Sequence, residues 1–233
     1  MLDSNPIPTR PAPAGERPGG PALAVRRWAL VAAPALAGLC AVVAAAADPA
    51  AGRDGAALVV AYAENPGPLQ VKSVAYHFSY ALWGVTALWL ALLVRRRGAW
   101  TADLALLLAF LGATSVPGFL VVDFYDSAIG QTVGLDGDAR IQELLAGMWG
   151  MSLLQTTGVA GLLLCLPVAA LAGWRAGFLT WWAPAGVTLG IFGGFMLVGA
   201  TVPGALVMTA GFAVLSVDLA RSAGRWDPPP AAA

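Results

Sequence analysis

Six apolar runs partition this chain, at 28–47, 74–94, 104–122, 147–174, 178–198 and 203–220. Wound as a helix at ~1.5 Å per residue, about 20 such residues match the ~30 Å hydrocarbon core of a bilayer. Within that core a backbone has no water to bond, so a helix must satisfy its N–H and C=O groups internally. The runs therefore predict an all-α fold, a polytopic transmembrane helical bundle of six spans. Composition agrees: 58% of the residues are hydrophobic and 11% are charged, against about 25% charged in a soluble domain. A water-exposed particle would lack the polar surface to cover itself.

The ends differ from the middle. Residues 1–25 are rich in Pro, Gly and Ala without apolar periodicity, and residues 221–233 close on Pro228, Pro229 and Pro230. Both read as disordered cytoplasmic tails around a six-helix domain at 26–220.

Basic residues orient the spans. Ten of the 13 Lys and Arg fall on one side: Arg10, Arg17, Arg26, Arg27, Arg95, Arg96, Arg97, Arg175, Arg221 and Arg225. Arg53, Lys72 and Arg140 fall on the other. The positive-inside rule then places both termini in the cytoplasm. Trp28, Trp100, Trp149, Trp174 and Trp226 lie near span ends, where an amphipathic ring favours the headgroup zone. The first run, preceded by Arg26 and Arg27 and closed by Ala44–Ala47, also has features of a signal peptide. Its length favours an uncleaved helix.

Breaks between runs carry turn chemistry. Glu64, Asn65, Pro66, Gly67 and Pro68 force a turn after a short apolar piece at 56–63, which is expected to lie along the membrane surface. Asp138 is expected to cap a helical lead-in at 139–145, and Thr201 with Pro203 to start the last span. Asp136, Asp138 and Glu143 lack the loop length, central glycine and closing bidentate Glu of a calcium-binding hand, so they read as a solvated acidic loop. In the fifth run Gly186, Gly190 and Gly194 share one helix face, a stripe for close helix–helix approach, more readily within the bundle than between copies. Pro117, Pro167 and Pro184 are candidate kinks.

Ionisable and polar residues inside spans mark candidate sites. His77 and Tyr80, with Tyr76 beside them, share a face near the outer start of the second span. Asp123 and Asp126 share a face at the outer end of the third, continuing inward through Phe119, Ser115 and Gly112. Ser152, Gln155 and Thr156 form a stripe in the fourth. The sharp expectation is an outward-facing polar pocket on spans two to four, with His77, Tyr80, Asp123, Asp126 and Gln155 as ligand- or proton-binding residues. The plain alternative leaves them solvated at the interface or in ordinary interhelical hydrogen bonds. Asp218 reads as a local pair with Arg221.

No catalytic residues stand out. His77 is the sole histidine, which excludes bis-histidine haem and multi-histidine zinc sites within one chain. Cys40 and Cys165 each sit mid-run, as inert thiols with no metal spacing and no disulfide framework. No His-Glu-x-x-His, Gly-x-Ser-x-Gly or phosphate-cradling glycine loop occurs. No cofactor or metal is expected. The formal net charge is zero, which gives no reason to expect a nucleic-acid partner. Membrane lipid is the expected surrounding, with room for an unidentified membrane-protein partner.

The stretch Glu64-Asn65-Pro66-Gly67, then Arg95-Arg96-Arg97-Gly98 and Val121-Val122-Asp123-Phe124-Tyr125-Asp126, resembles uncharacterised multi-span integral membrane proteins of high-GC bacteria. The resemblance implies a compact helical bundle in a bacterial inner membrane and carries no activity. Three functions remain open from sequence: a non-enzymatic structural, sensory or accessory role; a small transporter using the outer polar cluster; and a membrane enzyme acting on a lipid or quinone.

Overall fold

A computed structural model describes residues 21–196 and 201–223. The tails expected from sequence fall chiefly at 1–20 and 224–233, which lie outside the described residues. Regular structure among the described residues is entirely helical: α1 (Pro21–Ala47), α2 (Gly55–Glu64), α3 (Pro66–Leu93), α4 (Ala99–Thr132), α5 (Gly134–Ala146), α6 (Trp149–Ala176), α7 (Trp182–Thr188) and α8 (Val202–Ser222), with a π-helical segment, Leu189–Met196, continuing α7. Five of these, α1, α3, α4, α6 and α8, are long and apolar enough to cross a membrane. The chain is a helical bundle with the make-up of a multi-pass membrane protein.

The fifth apolar run departs from its expected form. Its first residues make a turn after Gly177 (φ 89°), where the N–H groups of Phe178 and Leu179 both bond the Gly173 carbonyl. The helix begins only at Trp182, so Pro184 sits in its first turn. There a missing N–H breaks no bond, and the proline does not kink the helix. From Leu189 the coil widens to π geometry. Glycine-rich sequence is a poor α-helix former, and here it trades α geometry for backbone contact with α8. A Cβ on Gly190 would stand 3.1 Å from Gly211 Cα, and one on Gly194 would stand 2.9 Å from Met208 N. Among the described residues this run thus supplies a short, two-part helix and not a sixth span-length one.

Other boundaries move outward. The third run lies inside α4, whose 34 residues extend about 51 Å, well beyond the hydrocarbon thickness. Its surplus turns carry α2 and α5. A Cβ on Gly130 would stand 3.0 Å from Ala63 Cβ, so α2 seats tightly on α4. The apolar piece at 56–63 thus lies partly against α4, with Val59, Ala61 and Tyr62 buried. The helix after α4 begins at Gly134, which leaves Asp138 inside α5 and not at its cap; Asp138 is buried, and its Oδ1 has no hydrogen-bond partner among the described residues. Thr201 does cap α8, its Oγ1 accepting from Gly204 N–H at 3.4 Å.

Helix neighbours follow small residues. α1 lies between α3 and α8, α4 pairs with α6, α3 also meets α4 and α6, and α7 bridges α6 and α8. On α1, Ala37, Ala41 and Ala44 are buried, and Ser79 Oγ on α3 donates to the Ala37 carbonyl at 2.8 Å. Pro34 interrupts the α1 ladder, and the Ala35 N–H donates across to Ser216 Oγ on α8 at 3.2 Å. On α4 and α6 the backbones nearly touch: a Cβ on Gly161 would come within 2.6 Å of Leu108 O. Trp83 meets Phe212 edge-on at 5.3 Å in the middle of the bundle.

α1 and α4 run one way and α3, α6 and α8 the other, with α7 and the π-helical segment as the return leg between α6 and α8, so Arg26, Arg27, Arg95, Arg96, Arg97, Arg175 and Arg221 gather at one end. There Arg175 lies over the Trp100 ring at 5.3 Å. The opposite end holds the loop after α1, the starts of α3, α6 and α8, and the end of α4.

Candidate functional site

A cavity of about 610 Å³ opens at the end opposite the arginines. The loop after α1 contributes Asp48 and Arg53, α2 contributes Tyr62, and α3 contributes Lys72, Tyr76 and Tyr80. From α4 come Val116, Phe119, Leu120 and Asp123, from α6 Gln155, Val159, Leu162 and Leu163, and Thr201 leads into α8. Helix geometry sets these faces. Lys72, Tyr76 and Tyr80 follow each other at four-residue steps, as do Val116 and Leu120, and Gln155 and Val159. The lining is graded. Charged groups sit near the helix ends and carbon lies about two turns deeper, ~12 Å from Lys72 to Tyr80 along α3.

At the polar end Lys72 is buried and committed. Its Nζ donates to Asp123 Oδ2 at 2.9 Å and to the Tyr62 hydroxyl, and lies 4.5 Å from the Tyr62 ring centroid. Ser73 Oγ reaches the same Asp123 oxygen at 3.5 Å. Burial, partly offset by the Lys72 hydrogen bond, pushes the Tyr62 phenol above its ordinary value, so it stays neutral and accepts from the ammonium. Ser127 Oγ on α4 donates to the Tyr62 carbonyl at 2.8 Å. One cluster therefore ties α2, α3 and α4 together. An ion pair taken from water needs partners for its other donors and acceptors, and here a phenol and a serine supply two of them. Beneath, Tyr76 and Tyr80 stack at 5.4 Å, and Tyr80 meets Trp83 edge-on at 6.4 Å.

The structure brings Tyr80, Asp123 and Gln155 together around this cavity. It leaves out two expected members. His77 is exposed on the outer face of α3, edge-on to Phe78 at 5.6 Å, because residue 77 is out of step with the 72–76–80 stripe. No His77–Asp123 couple forms; the partner of Asp123 is Lys72. Asp126 points away from the cavity toward α5, where Gln142 Nε2 approaches its Oδ1 at 3.5 Å. The inward continuation of the Asp123 face does meet α6: Gly112 packs on Leu162, and Ser115 on Gly158. Gly186, Gly190 and Gly194 all face α8.

Lys72 and Tyr62 are site residues that the sequence pattern did not single out. For Lys72 a signal existed, since it starts the stripe that contains Tyr76 and Tyr80. For Tyr62 none did, because its contact depends on α2 folding back onto α4.

A second hollow, of about 670 Å³, runs between α7 and α8 at the arginine end, walled mainly by carbon from Trp182, Ala213, Val214 and Val217. Asp218 lies in it but accepts the Thr180 backbone N–H at 2.7 Å, and so fastens the chain entering α7. The expected local pair with Arg221 gives way to this bond. Among the described residues no three His, Cys, Asp or Glu side chains gather to hold a metal. No protein-family model matches the chain, and no curated protein or solved structure matches it significantly.

Proposed function

We propose that this is a non-enzymatic, small-molecule-binding protein of the bacterial cytoplasmic membrane, of the small-transporter kind, which takes its ligand into the cavity from the non-cytoplasmic side. Both termini then lie in the cytoplasm, with the arginine-rich end. The observation that carries this is the convergence of Asp123, Lys72, Tyr76 and Gln155 from three long helices on one cavity. Its size falls within the ~300–1,000 Å³ of small-molecule sites, and like them it combines carbon walls with a few placed polar groups. The ion pair helps to tie α2, α3 and α4 together, and it also stands on the wall of the cavity, within reach of a ligand. Such a pair is expensive to bury, and recognition of a ligand gives a reason to keep it.

Thiol labelling tests it. In a background with Cys40→Ala and Cys165→Ala, Phe119→Cys and Val159→Cys should react with a membrane-impermeant maleimide added to the non-cytoplasmic face. Leu107→Cys, on an exposed apolar face of α4, should not. Protection of both cavity positions would overturn the proposal.

A further inference from the structure

The cavity's charges are unevenly satisfied, and the imbalance names the ligand's head group. Among the carboxylates, Asp48 Oδ1 accepts the Ala50 N–H at 3.0 Å, and Asp123 is paired with Lys72 and approached by Ser73. Asp54 neighbours Arg53 in sequence but does not line the cavity. Among the cations, Arg53 is exposed, lines the mouth, and has no side-chain partner among the described residues. Lys72 has three N–H donors, of which Asp123 and Tyr62 take two. Donor capacity is therefore left open on Arg53 and Lys72, while Asp123, the carboxylate beside Lys72, is already ion-paired. Below it, Phe119, Leu120, Leu162 and Leu163 offer only carbon.

Resting on the binding role proposed above, we infer that the ligand is an amphiphile with an anionic head group. The head sits between Arg53 and Lys72, and the chain descends along Phe119 toward Leu162 and Leu163. Arg suits a phosphate or carboxylate because its planar fork can engage two oxygens at once. A cationic amphiphile would meet Arg53 at the mouth, which repels it, and an Asp123 already paired with Lys72.

The test uses the full chain in phosphatidylcholine nanodiscs, titrated with dodecyl phosphate, dodecanol or dodecyltrimethylammonium, with bilayer partition subtracted using empty discs. Dodecyl phosphate should bind saturably and about tenfold or more tighter than either of the others. Arg53→Gln, at an exposed loop position, should bring it to within about threefold of dodecanol without weakening dodecanol. Val159→Trp, which fills the cavity, should abolish saturable binding of all three. Doping the discs with phosphatidylglycerol identifies the source: competition assigns the site to a bilayer lipid head group, and no competition assigns it to a free amphiphile. Equal affinities for phosphate and alcohol, both lost in Val159→Trp, would overturn the anionic head group and leave the cavity a binding site. Binding unaffected by Val159→Trp would overturn both.

Discussion

Lys72 shows how much one side chain decides in this molecule. It is 7% exposed, and it is held by a carboxylate 51 positions away and a phenol on a separate helix. Removing one member strands the other as a buried charge, which costs more than the pair itself contributes. Lys72→Met and Asp123→Asn should each destabilise the protein by about 3–5 kcal/mol, toward the lower end for Lys72→Met, because the Asp123 side chain it strands is 20% exposed. Lys72→Met combined with Asp123→Asn should recover part of that loss, because neither partner is then left as a buried unpaired charge. Denaturation of the four proteins in mixed micelles gives the double-mutant cycle, and additive losses would show that the pair is not coupled. Tyr62→Phe removes a hydrogen bond to a charge and should cost about 1.5–3 kcal/mol in the same assay. His77→Ala, on an exposed face, should change stability by less than about 0.5 kcal/mol. The stripe 72–76–80 was visible in the sequence as a helical spacing. Which of Lys72 and His77 pointed inward was not, because spacing defines a face only relative to a neighbour still unknown.

At the scale of elements, glycine placement sets which helices touch. Gly161 stands against the α4 backbone, so Gly161→Leu should separate α4 from α6 and lower stability by at least about 3 kcal/mol. Gly190→Val should do the same between the π-helical segment and α8. A Cβ added at Gly193 would meet no atom within 4 Å, so Gly193→Ala should be neutral or slightly stabilising. Thermal unfolding of the three variants in one detergent checks the ranking, and a large loss in Gly193→Ala would contradict it. The stripe 186–190–194 was legible because a repeat of four puts residues on one side of a helix. The widened coil was not: it follows from how closely α8 approaches, a distance absent from any local pattern. Pro184 teaches the same lesson, since proline in an apolar run suggests a kink until the helix is seen to begin just before it.

For the whole molecule, the sorting of arginines to one end sets a testable polarity. Ala51→Cys, in the loop after α1, and Arg96→Cys, in the loop after α3, lie at opposite ends of the bundle. In intact cells an impermeant thiol reagent should modify Ala51→Cys, whereas Arg96→Cys should react only after permeabilisation. The reverse pattern would invert the proposed orientation and leave the bundle itself unchanged. Apolar run length, charge sorting and turn residues are properties of the chain alone, because lipid thickness, headgroup electrostatics and backbone sterics act on each segment separately. They determined that the chain is helical, which stretches form long helices, and which residues share a face. Only tertiary structure decided that Lys72 meets Asp123 and Tyr62, that the described part of the fifth run is a short helix in two parts, and that a cavity opens at one end. Each of those depends on two or more distant segments meeting at ångström separation, and neither partner's local sequence encodes that distance.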